Sequence, residues 1–204
     1  MNRIANDAGR AYRSQLRADQ TEETRARILD ATVRVMAAGL ASVSIPAVAR
    51  EARVSVPTIY RHFGTKRDLL AAVYPHLVRR AGLDEMVVPR SLDDLRAGGR
   101  SIFDRVDAFD DLARAAMASP AAEEARRINM PDRFAMTRRL ADTIVPRLEE
   151  VDRDRIARLL VILTTSSALR TWRDHLGSSV EEAADDVDWV VRAAVAAATP
   201  RNGR

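Results

Sequence analysis

The spacing of apolar residues is the feature that most constrains this chain. Apolar residues recur every three or four positions along nearly the whole sequence, and no stretch of strand length alternates between apolar and polar residues. This pattern predicts an all-α protein of about nine helices. With 204 residues and 47% hydrophobic side chains, the chain can bury a sizeable core, in one large domain or in a small domain followed by a larger one.

Capping residues, prolines and glycines divide the helical pattern into segments. Thr21 and Ser44 are predicted N-caps, and a breaker segment around Gly82 and Pro89 predicts a domain boundary. The predicted segments are a flexible basic arm (1–20), a small helical domain (21–66), a connecting fourth helix (67–81), a larger helical domain (82–199) and a tail (200–204).

Prolines and glycines also set the predicted helix ends in the larger domain. Pro120 and Pro131 are expected to interrupt helices there, so the seventh helix is predicted to begin at Asp132. The eighth helix is predicted to run unbroken from Asp152 to His175. Ser179 is the predicted N-cap of the last helix.

Positive charge is concentrated at the N-terminal end. Residues 1–67 contain twelve basic and six acidic residues, a net charge of +6, whereas residues 68–204 have a net charge of −2. Lys66 is the only lysine in the chain; the other 32 basic residues are arginine. This asymmetry favours a nucleic-acid-binding N-terminal end, and a merely basic, solvated tail is the alternative.

Several functional classes lack their sequence signals. There is no cysteine, no phosphate-binding loop and no glycine-rich dinucleotide fingerprint, and His62, His76 and His175 are too far apart to suggest a metal site. We therefore predict no metal, no cofactor, no catalytic residues and no enzymatic activity. No apolar signal segment is visible, and the apolar run from Leu159 to Leu169 is too short to span a bilayer, so the prediction is a cytoplasmic protein without membrane contact.

Residues 44–69 have the pattern of two short helices joined by a tight turn. Ala49 is small where the two helices must cross, and a shared core is predicted from Val48, Ala52, Val54, Ile59 and Phe63. The positions between these are predicted to face outward; they are Ser55, Val56, Pro57, Thr58, Tyr60, Arg61 and His62. A short helix with such a polar N-terminal face suits the major groove of DNA, which indicates a helix-turn-helix.

Each outward residue type has a use on DNA. Thr58 can meet a base edge with its hydroxyl or methyl group, and Val56 and Pro57 can touch a thymine methyl. Tyr60 and His62 can reach phosphate oxygens, and Lys66 can clamp a phosphate at a helix N-terminus. Taken singly these would be ordinary surface residues; the prediction of DNA contact rests on their order.

The run from Val56 to Leu70 resembles the recognition helix and the start of the fourth helix in the TetR (tetracycline repressor-like) family, and the resemblance extends over about residues 21–74. It implies a DNA-binding transcriptional regulator that forms a homodimer on palindromic operator DNA. It also implies base-edge contacts for Ser55 and a phosphate contact for Ser44. The family usually has glycine in the turn, where this chain has Arg53. In the family this turn residue tends to adopt a positive φ, which costs a non-glycine residue about 1 kcal/mol. Either the turn differs here, or Arg53 tolerates the strain and contacts a phosphate; we expect the second.

In the larger domain, the chain resembles the family only in its arrangement of helices. It implies that the last two long helices form a four-helix interface with a second subunit, through Ile156, Leu159, Leu160, Leu163, Val187, Val190, Val191 and Ala194. It implies a cavity for a largely apolar effector within helices 5 to 7, lined by Phe103, Val106, Phe109, Met117, Met130, Arg133, Phe134 and Trp172. Ordinary intramolecular core is the alternative for both sets.

The function predicted from these patterns is a repressor that a small molecule releases from its operator. A transcriptional activator, or a DNA-binding protein of low sequence specificity, would have the same motif. A helical enzyme or carrier that uses the larger domain's cavity is a third hypothesis.

Overall fold

The computed structural model describes residues 2–39, 43–80, 82 and 88–199, with side chains from residue 15 onward. Within these ranges the chain forms ten α-helices and no β-strand, so the all-α prediction is confirmed. The helices are α1 (Asn2–Ala37), α2 (Ile45–Ala52), α3 (Val56–Phe63), α4 (Lys66–Arg80), α5 (Leu95–Asp107), α6 (Asp111–Ala118), α7 (Pro120–Ile144), α8 (Glu150–Leu163), α9 (Ser166–Arg170) and α10 (Val180–Ala198). The predicted tail 200–204 and most of the predicted boundary segment lie outside the described residues.

Helices α1 to α4 surround one apolar core. Ile28 in α1, Val48 in α2, Ile59 in α3 and Leu69 in α4 are each at most 1% exposed. The same core continues into α6 and the first turns of α7, where Ala116 is fully buried. The small N-terminal bundle therefore rests directly on α6 and α7, because no polar layer separates the two parts of this core.

A second core lies between α5, α7, α8 and α10. It contains Phe103 and the four residues Ile156, Leu160, Val187 and Val191, all at most 2% exposed. These four residues were predicted to meet a second subunit, but they are buried within the core of the chain itself. Helices α8 and α10 carry apolar residues on several sides, so their periodicity could not tell the inner side from the outer one.

The first helix begins much earlier than predicted. Helix α1 runs unbroken from Asn2, where a flexible arm over residues 1–20 and an N-cap at Thr21 were expected. The Thr21 hydroxyl donates to the carbonyl of Arg17 at 2.7 Å, and the Thr24 hydroxyl donates to that of Gln20 at 2.8 Å. These threonines bond back to the preceding turn and so do not cap a helix start. Alanine, arginine and glutamine upstream are good helix formers, which allows the helix to continue.

Helix α7 passes through Pro131, where an interruption was predicted. It begins at Pro120, in the first-turn position that tolerates proline, and ends at Ile144, two residues before Pro146. A proline inside a helix removes one backbone donor, and packing of α7 against both α4 and α8 can offset that loss.

The predicted eighth helix is divided at Thr164 and Thr165. The Thr164 hydroxyl donates to the carbonyl of Leu160 at 2.7 Å at the end of α8. The Thr165 hydroxyl accepts from the backbone of Ala168 at 2.9 Å and thereby caps α9. Two consecutive residues that can end and start a helix explain the break. The predicted cap at Ser179 is confirmed, since its side chain accepts from the backbone of Glu182.

Helix α4 connects the small bundle to the larger domain and is held by charged side chains at its C-terminal end. His76 lies 2.8 Å from Asp30 of α1, and Arg80 lies 3.4 Å from the same carboxylate. Arg80 also donates to Asp110, the residue that caps α6, at 2.6 Å. Arg80 thus links α1, α4 and α6 at the junction of the two cores.

Candidate nucleic-acid interface

Helix α2 ends in a left-handed turn at Arg53. This residue has φ 54° and ψ 45°. Among the described residues, no other non-glycine residue has a positive φ. The backbone of Val54 donates to the carbonyl of Ala49 at 3.0 Å, which closes the turn. Ala49 is 5% exposed, as expected for the small residue at the helix crossing. The predicted positive φ at Arg53 is confirmed.

The Arg53→Gly variant is expected to raise the free energy of unfolding by about 0.5–1 kcal/mol, because glycine adopts this conformation without steric cost. For a domain of this size, that corresponds to a rise in Tm of about 1–4 °C in thermal unfolding followed by circular dichroism. Arg50→Gly, an exposed position inside α2, is the matched control and should lower stability by about 1 kcal/mol. An unchanged or lower Tm for Arg53→Gly would mean that the Arg53 side chain makes a contact that outweighs the strain.

Helix α3 presents its polar residues on one surface. Ser55 caps the helix by accepting from the backbone of Thr58 at 3.2 Å, and the two hydroxyl oxygens lie 2.8 Å apart. Ile59 and Phe63 are buried beneath this surface, as predicted. The residues predicted to face outward are exposed or half-buried; they are Ser55, Val56, Pro57, Thr58, Tyr60, Arg61 and His62. The cap fixes the N-terminal turn of α3, which carries Val56, Pro57 and Thr58.

The start of α4 places Lys66 beside an acidic residue from the larger domain. Thr65 and Asp68 cap α4 reciprocally: the Thr65 backbone donates to Asp68 at 3.1 Å, and the Asp68 backbone donates to the Thr65 hydroxyl at 3.1 Å. The Lys66 ammonium lies 3.4 Å from a carboxylate oxygen of Glu124 in α7. Sequence analysis predicted Lys66 as a phosphate clamp but gave no sign of this partner, which is 58 positions away.

The C-terminal end of α3 is tied to α1 by Arg25. Its guanidinium donates to the carbonyl of His62 at 3.1 Å and stacks over the ring of Phe63, 4.3 Å from the ring centroid. Partial burial, followed by the charges of Arg61 and Arg25, lowers the pKa of His62 below its ordinary value. A neutral imidazole at neutral pH can still hydrogen-bond a phosphate through its ring N–H. Arg25 was missed because nothing in its local pattern distinguishes it from other helical arginines.

The early start of α1 creates a groove beside α3. The groove is lined by Arg17, Gln20, Thr21 and Thr24 from α1 and by Arg61 and His62 from α3. Ser44, immediately before α2, is exposed and its side chain makes no capping hydrogen bond. Its hydroxyl is therefore available to another partner. These features extend the polar surface on both sides of α3.

The larger domain contains an apolar cavity of about 300 Å³ between α5, α7, α8 and α10. Its wall includes Gly98 and Gly99 of α5, and Thr137, Arg139 and Thr143 of α7 together with Thr164 supply polar atoms. The remaining lining is largely apolar, with Val88, Pro89, Leu95, Ile102, Met136, Leu140, Leu160 and Val187. A volume of this size is at the lower end of the range for small-molecule sites.

None of the eight residues predicted to line a ligand cavity lines this one. Phe103 is fully buried against Trp172, with ring centroids 5.9 Å apart, and Phe134 packs on the same core. A void of only about 20 Å³ is bordered by Val106, Phe109 and Met117. Met130 lies on the surface, and Arg133 stacks over the ring of Tyr74. The aromatic residues were the more visible signal, but Phe103 and Phe109 are buried in the two cores. The cavity is instead lined mainly by glycines and aliphatic residues.

The outer sides of α8 and α10 form a surface that we call the α8–α10 face. On α8 it contains Val151, Arg155, Arg158 and Ile162, and on α10 it contains Trp189, Ala193, Ala196 and Ala197. Ile162 is 63% exposed and Trp189 is 70% exposed. Leu159, Leu163, Val190 and Ala194, from the predicted subunit interface, are half-buried on the same helices. Exposed large apolar residues next to small ones are typical of a surface that meets another protein.

One comparison with known proteins identifies the N-terminal part of the chain. Residues 28–73 match the family model for bacterial regulatory proteins of the tetR family, and this range contains α2, α3 and the adjoining parts of α1 and α4. A search of curated proteins found no significant match to the chain. Among the helices that the structure describes, none has the length and apolar character needed to cross a membrane.

Proposed function

We propose that this chain is a homodimeric, cytoplasmic repressor that a small molecule releases from operator DNA. Its residues 28–73 match the model of the tetR family of bacterial regulatory proteins. The family match makes it a DNA-binding transcriptional regulator, and the finer statements are our proposal. The main support for DNA binding is helix α3. It buries its apolar side, exposes its polar side and follows the left-handed turn at Arg53. This arrangement suits insertion of α3 into a major groove.

The contacts on DNA divide into two kinds. Ser55, Val56, Pro57 and Thr58 lie on the N-terminal turn of α3 and would meet base edges, which supplies sequence specificity. Phosphate contacts would come from residues around that turn and fix the position of α3 without reading sequence. We assign these to Ser44, Arg53, Tyr60, Arg61, His62 and Lys66.

A second subunit would pack against the α8–α10 face. Two-fold symmetry would then present two copies of α3 to successive major grooves on one side of the DNA, about 34–36 Å apart. This geometry supports a palindromic operator. The face exposes Trp189 and Ile162 together with Arg155 and Arg158, and tryptophan and arginine are enriched in protein interfaces.

Release by an effector would use the 300 Å³ apolar cavity. A largely apolar molecule could fill it, with Arg139 or the threonine hydroxyls of α7 orienting any polar group. Helix α7 lines the cavity and also carries Glu124, which pairs with Lys66 at the start of α4. A shift of α7 could therefore alter the position of a residue in the DNA surface. The effector acts only to the extent that it prefers the form with low DNA affinity.

Selection of bound DNA from a random library tests the core of this proposal. We expect a single palindromic sequence, whose half-sites are spaced for the two copies of α3. Enrichment without a common sequence would contradict sequence-specific regulation and favour a low-specificity DNA-binding protein. A reporter gene placed behind the selected operator would then distinguish repression from activation.

The Glu124→Gln variant is expected to raise operator affinity about two- to fivefold per protomer at low salt. Removing the carboxylate ends its competition with a DNA phosphate for Lys66, and exposed ion pairs of this kind contribute about 0.2–1 kcal/mol. The difference should shrink at high salt, where such pairs are screened. Glu123→Gln, next to it but paired with Arg126 at 3.3 Å, is the matched control and should bind like the wild type. Equal affinity for both variants in fluorescence anisotropy would show that Glu124 does not restrain Lys66.

A further inference from the structure

Helix α1 extends well beyond the core that its C-terminal half helps to form. The helical backbone begins at Asn2, and the apolar core takes side chains of α1 from Ile28 onward. All residues from 15 to 23 are exposed. At about 1.5 Å per residue, the segment 2–24, which we call the α1 extension, is about 33 Å long. Packing against the core therefore does not explain the sequence from 15 to 23.

The arginines of the α1 extension share one side of the helix. Their positions are separated by seven, three and four residues, and such spacings fall on one face of an α-helix. The acidic residues Asp19, Glu22 and Glu23 occupy positions on the other side, and Asp7 is at the edge by the same register. The arginine side, about 21 Å long, consists of positions Arg3, Arg10, Arg13 and Arg17.

The arginine side joins the polar surface of α3. Arg17 and Gln20 line the groove between α1 and α3 together with Arg61 and His62, which are two of the residues assigned to DNA phosphates. Arg25 holds the two helices together at this point, because its guanidinium donates to the carbonyl of His62 at 3.1 Å. The arginine side therefore continues the proposed DNA surface from α3 toward the N-terminus of α1.

The charges around this groove favour an anion. Burial contributes most to the lowered pKa of His62, and the charges of Arg61 and Arg25 lower it further, whereas the nearby Glu22 has a smaller, opposite effect. Within the extension, arginines three or four positions apart repel one another, which destabilises a helix. Phosphates placed along the arginine side would relieve that repulsion. Duplex DNA carries one negative charge per about 1.7 Å of its axis, so several phosphates are within reach of a row of this length.

We propose that the α1 extension binds the phosphate backbone of operator DNA beside the half-site that α3 occupies, through Arg10, Arg13 and Arg17. This inference rests on the proposed function, because it places the extension on the same DNA. Phosphate contacts carry no sequence information. They add affinity, fix the orientation of the small bundle on the duplex and lengthen the DNA segment that each protomer covers.

The dependence of operator affinity on salt tests the contact. Arg17→Gln removes one phosphate contact from each protomer and should reduce the slope of log affinity against log salt by about two in the dimer. Replacing Arg10, Arg13 and Arg17 together by glutamine should reduce it by about five and weaken binding about tenfold or more at physiological salt.

Arg147→Gln is the matched control. Arg147 is exposed and loses the same charge, and it follows the C-terminal end of α7, which is about 30 Å along that helix from Glu124. Its slope should equal that of the wild type. An unchanged slope in the triple variant, or an equal change in Arg147→Gln, would overturn the proposal.

Hydroxyl-radical footprinting on the selected operator locates the contact. The wild type should protect sugars on the outer side of each half-site as well as beside α3, and the triple variant should lose only the outer protection. Outer protection that is absent from the wild type, or that persists in the triple variant, would overturn the proposal. Protection beside α3 would then still support the proposed function, whereas failure to select any operator would overturn both.

Circular dichroism checks that the triple variant remains folded. Arginine and glutamine are helix formers of similar strength, so the helix content should stay at the wild-type level. If the triple variant loses helix content, the single exposed change Arg17→Gln decides: a salt slope equal to that of the wild type would overturn the proposal.

Discussion

Replacing Trp189 with glutamate is expected to make the protein monomeric and to lower its operator affinity by at least about 100-fold. Trp189 is 70% exposed on the α8–α10 face, where a second subunit would cover it. A glutamate there would be buried opposite apolar residues without a partner, which costs several kcal/mol for each of two symmetric copies. A monomer holds only one half-site, so most of the binding free energy from the second half-site is lost. Sedimentation and operator titration measure the two effects.

The control for Trp189→Glu is an apolar-to-acidic change elsewhere on the surface. Met130 of α7 is 38% exposed and lies outside the α8–α10 face, so Met130→Glu should remain dimeric and bind DNA normally. Ile162→Glu, within the face, should behave like Trp189→Glu. If Trp189→Glu stays dimeric at micromolar concentration, the subunit interface lies on another surface.

Replacing Tyr60 with alanine is expected to weaken operator binding by about 100-fold. Tyr60 is 44% exposed on α3, and its hydroxyl is assigned to a phosphate oxygen. A hydrogen bond to a charged group contributes about 1.5 kcal/mol, and two-fold symmetry doubles the loss to about 3 kcal/mol. Because tyrosine is neutral, the dependence of affinity on salt should change little. Lys66→Ala should instead reduce the salt slope by about two, since the dimer loses two phosphate neutralisations.

Tyr60→Phe distinguishes the hydroxyl from the ring. It keeps the packing of the ring on α3 and removes only the hydrogen bond, so it should lose most of the affinity that Tyr60→Ala loses. Wild-type affinity in Tyr60→Phe would assign the effect to the ring. Wild-type affinity in Tyr60→Ala and Lys66→Ala together would refute the assigned phosphate contacts.

Four polar contacts link the two ends of α4 to α1, α6 and α7. His76 and Arg80 meet Asp30, Arg80 meets Asp110, and Lys66 meets Glu124 at the opposite end. Moving a two-state equilibrium from 99:1 to 1:99 requires about 5.5 kcal/mol of differential binding. Contacts of about 1 kcal/mol each cannot hold a state that strongly by themselves. An effector of the kind proposed would therefore also have to change apolar packing, for example in the adjoining core between α4, α6 and α7.

The short-range patterns of the N-terminal domain were predictable because their causes are local. Apolar spacing in α2 and α3, the cap at Ser55 and the small residue at Ala49 each depend on neighbours within a few positions. The positive φ at Arg53 was expected only from the family resemblance, because glycine is usual at that turn position. The start of α1 was missed, because Thr21 can cap a helix or bond back to Arg17, and the residues upstream decide between them.

Contacts between distant segments had no local signal. Glu124 is one of many helical glutamates until α7 packs beside α4. The cavity residues Gly98 and Gly99 resemble an ordinary helical pair, whereas Phe103 and Trp172, which looked like a lining, fill the core.

The sequence by itself determined that this chain is helical and carries a DNA-binding helix-turn-helix near its N-terminal end, because helical period, caps and turn chemistry act over a few residues. Only the tertiary structure decided which sides of α8 and α10 are exposed, where the apolar cavity lies and which partners hold Lys66 and Arg80. Those features depend on which helices pack together. Apolar residues on several sides of a helix, and arginines throughout the chain, are compatible with more than one packing.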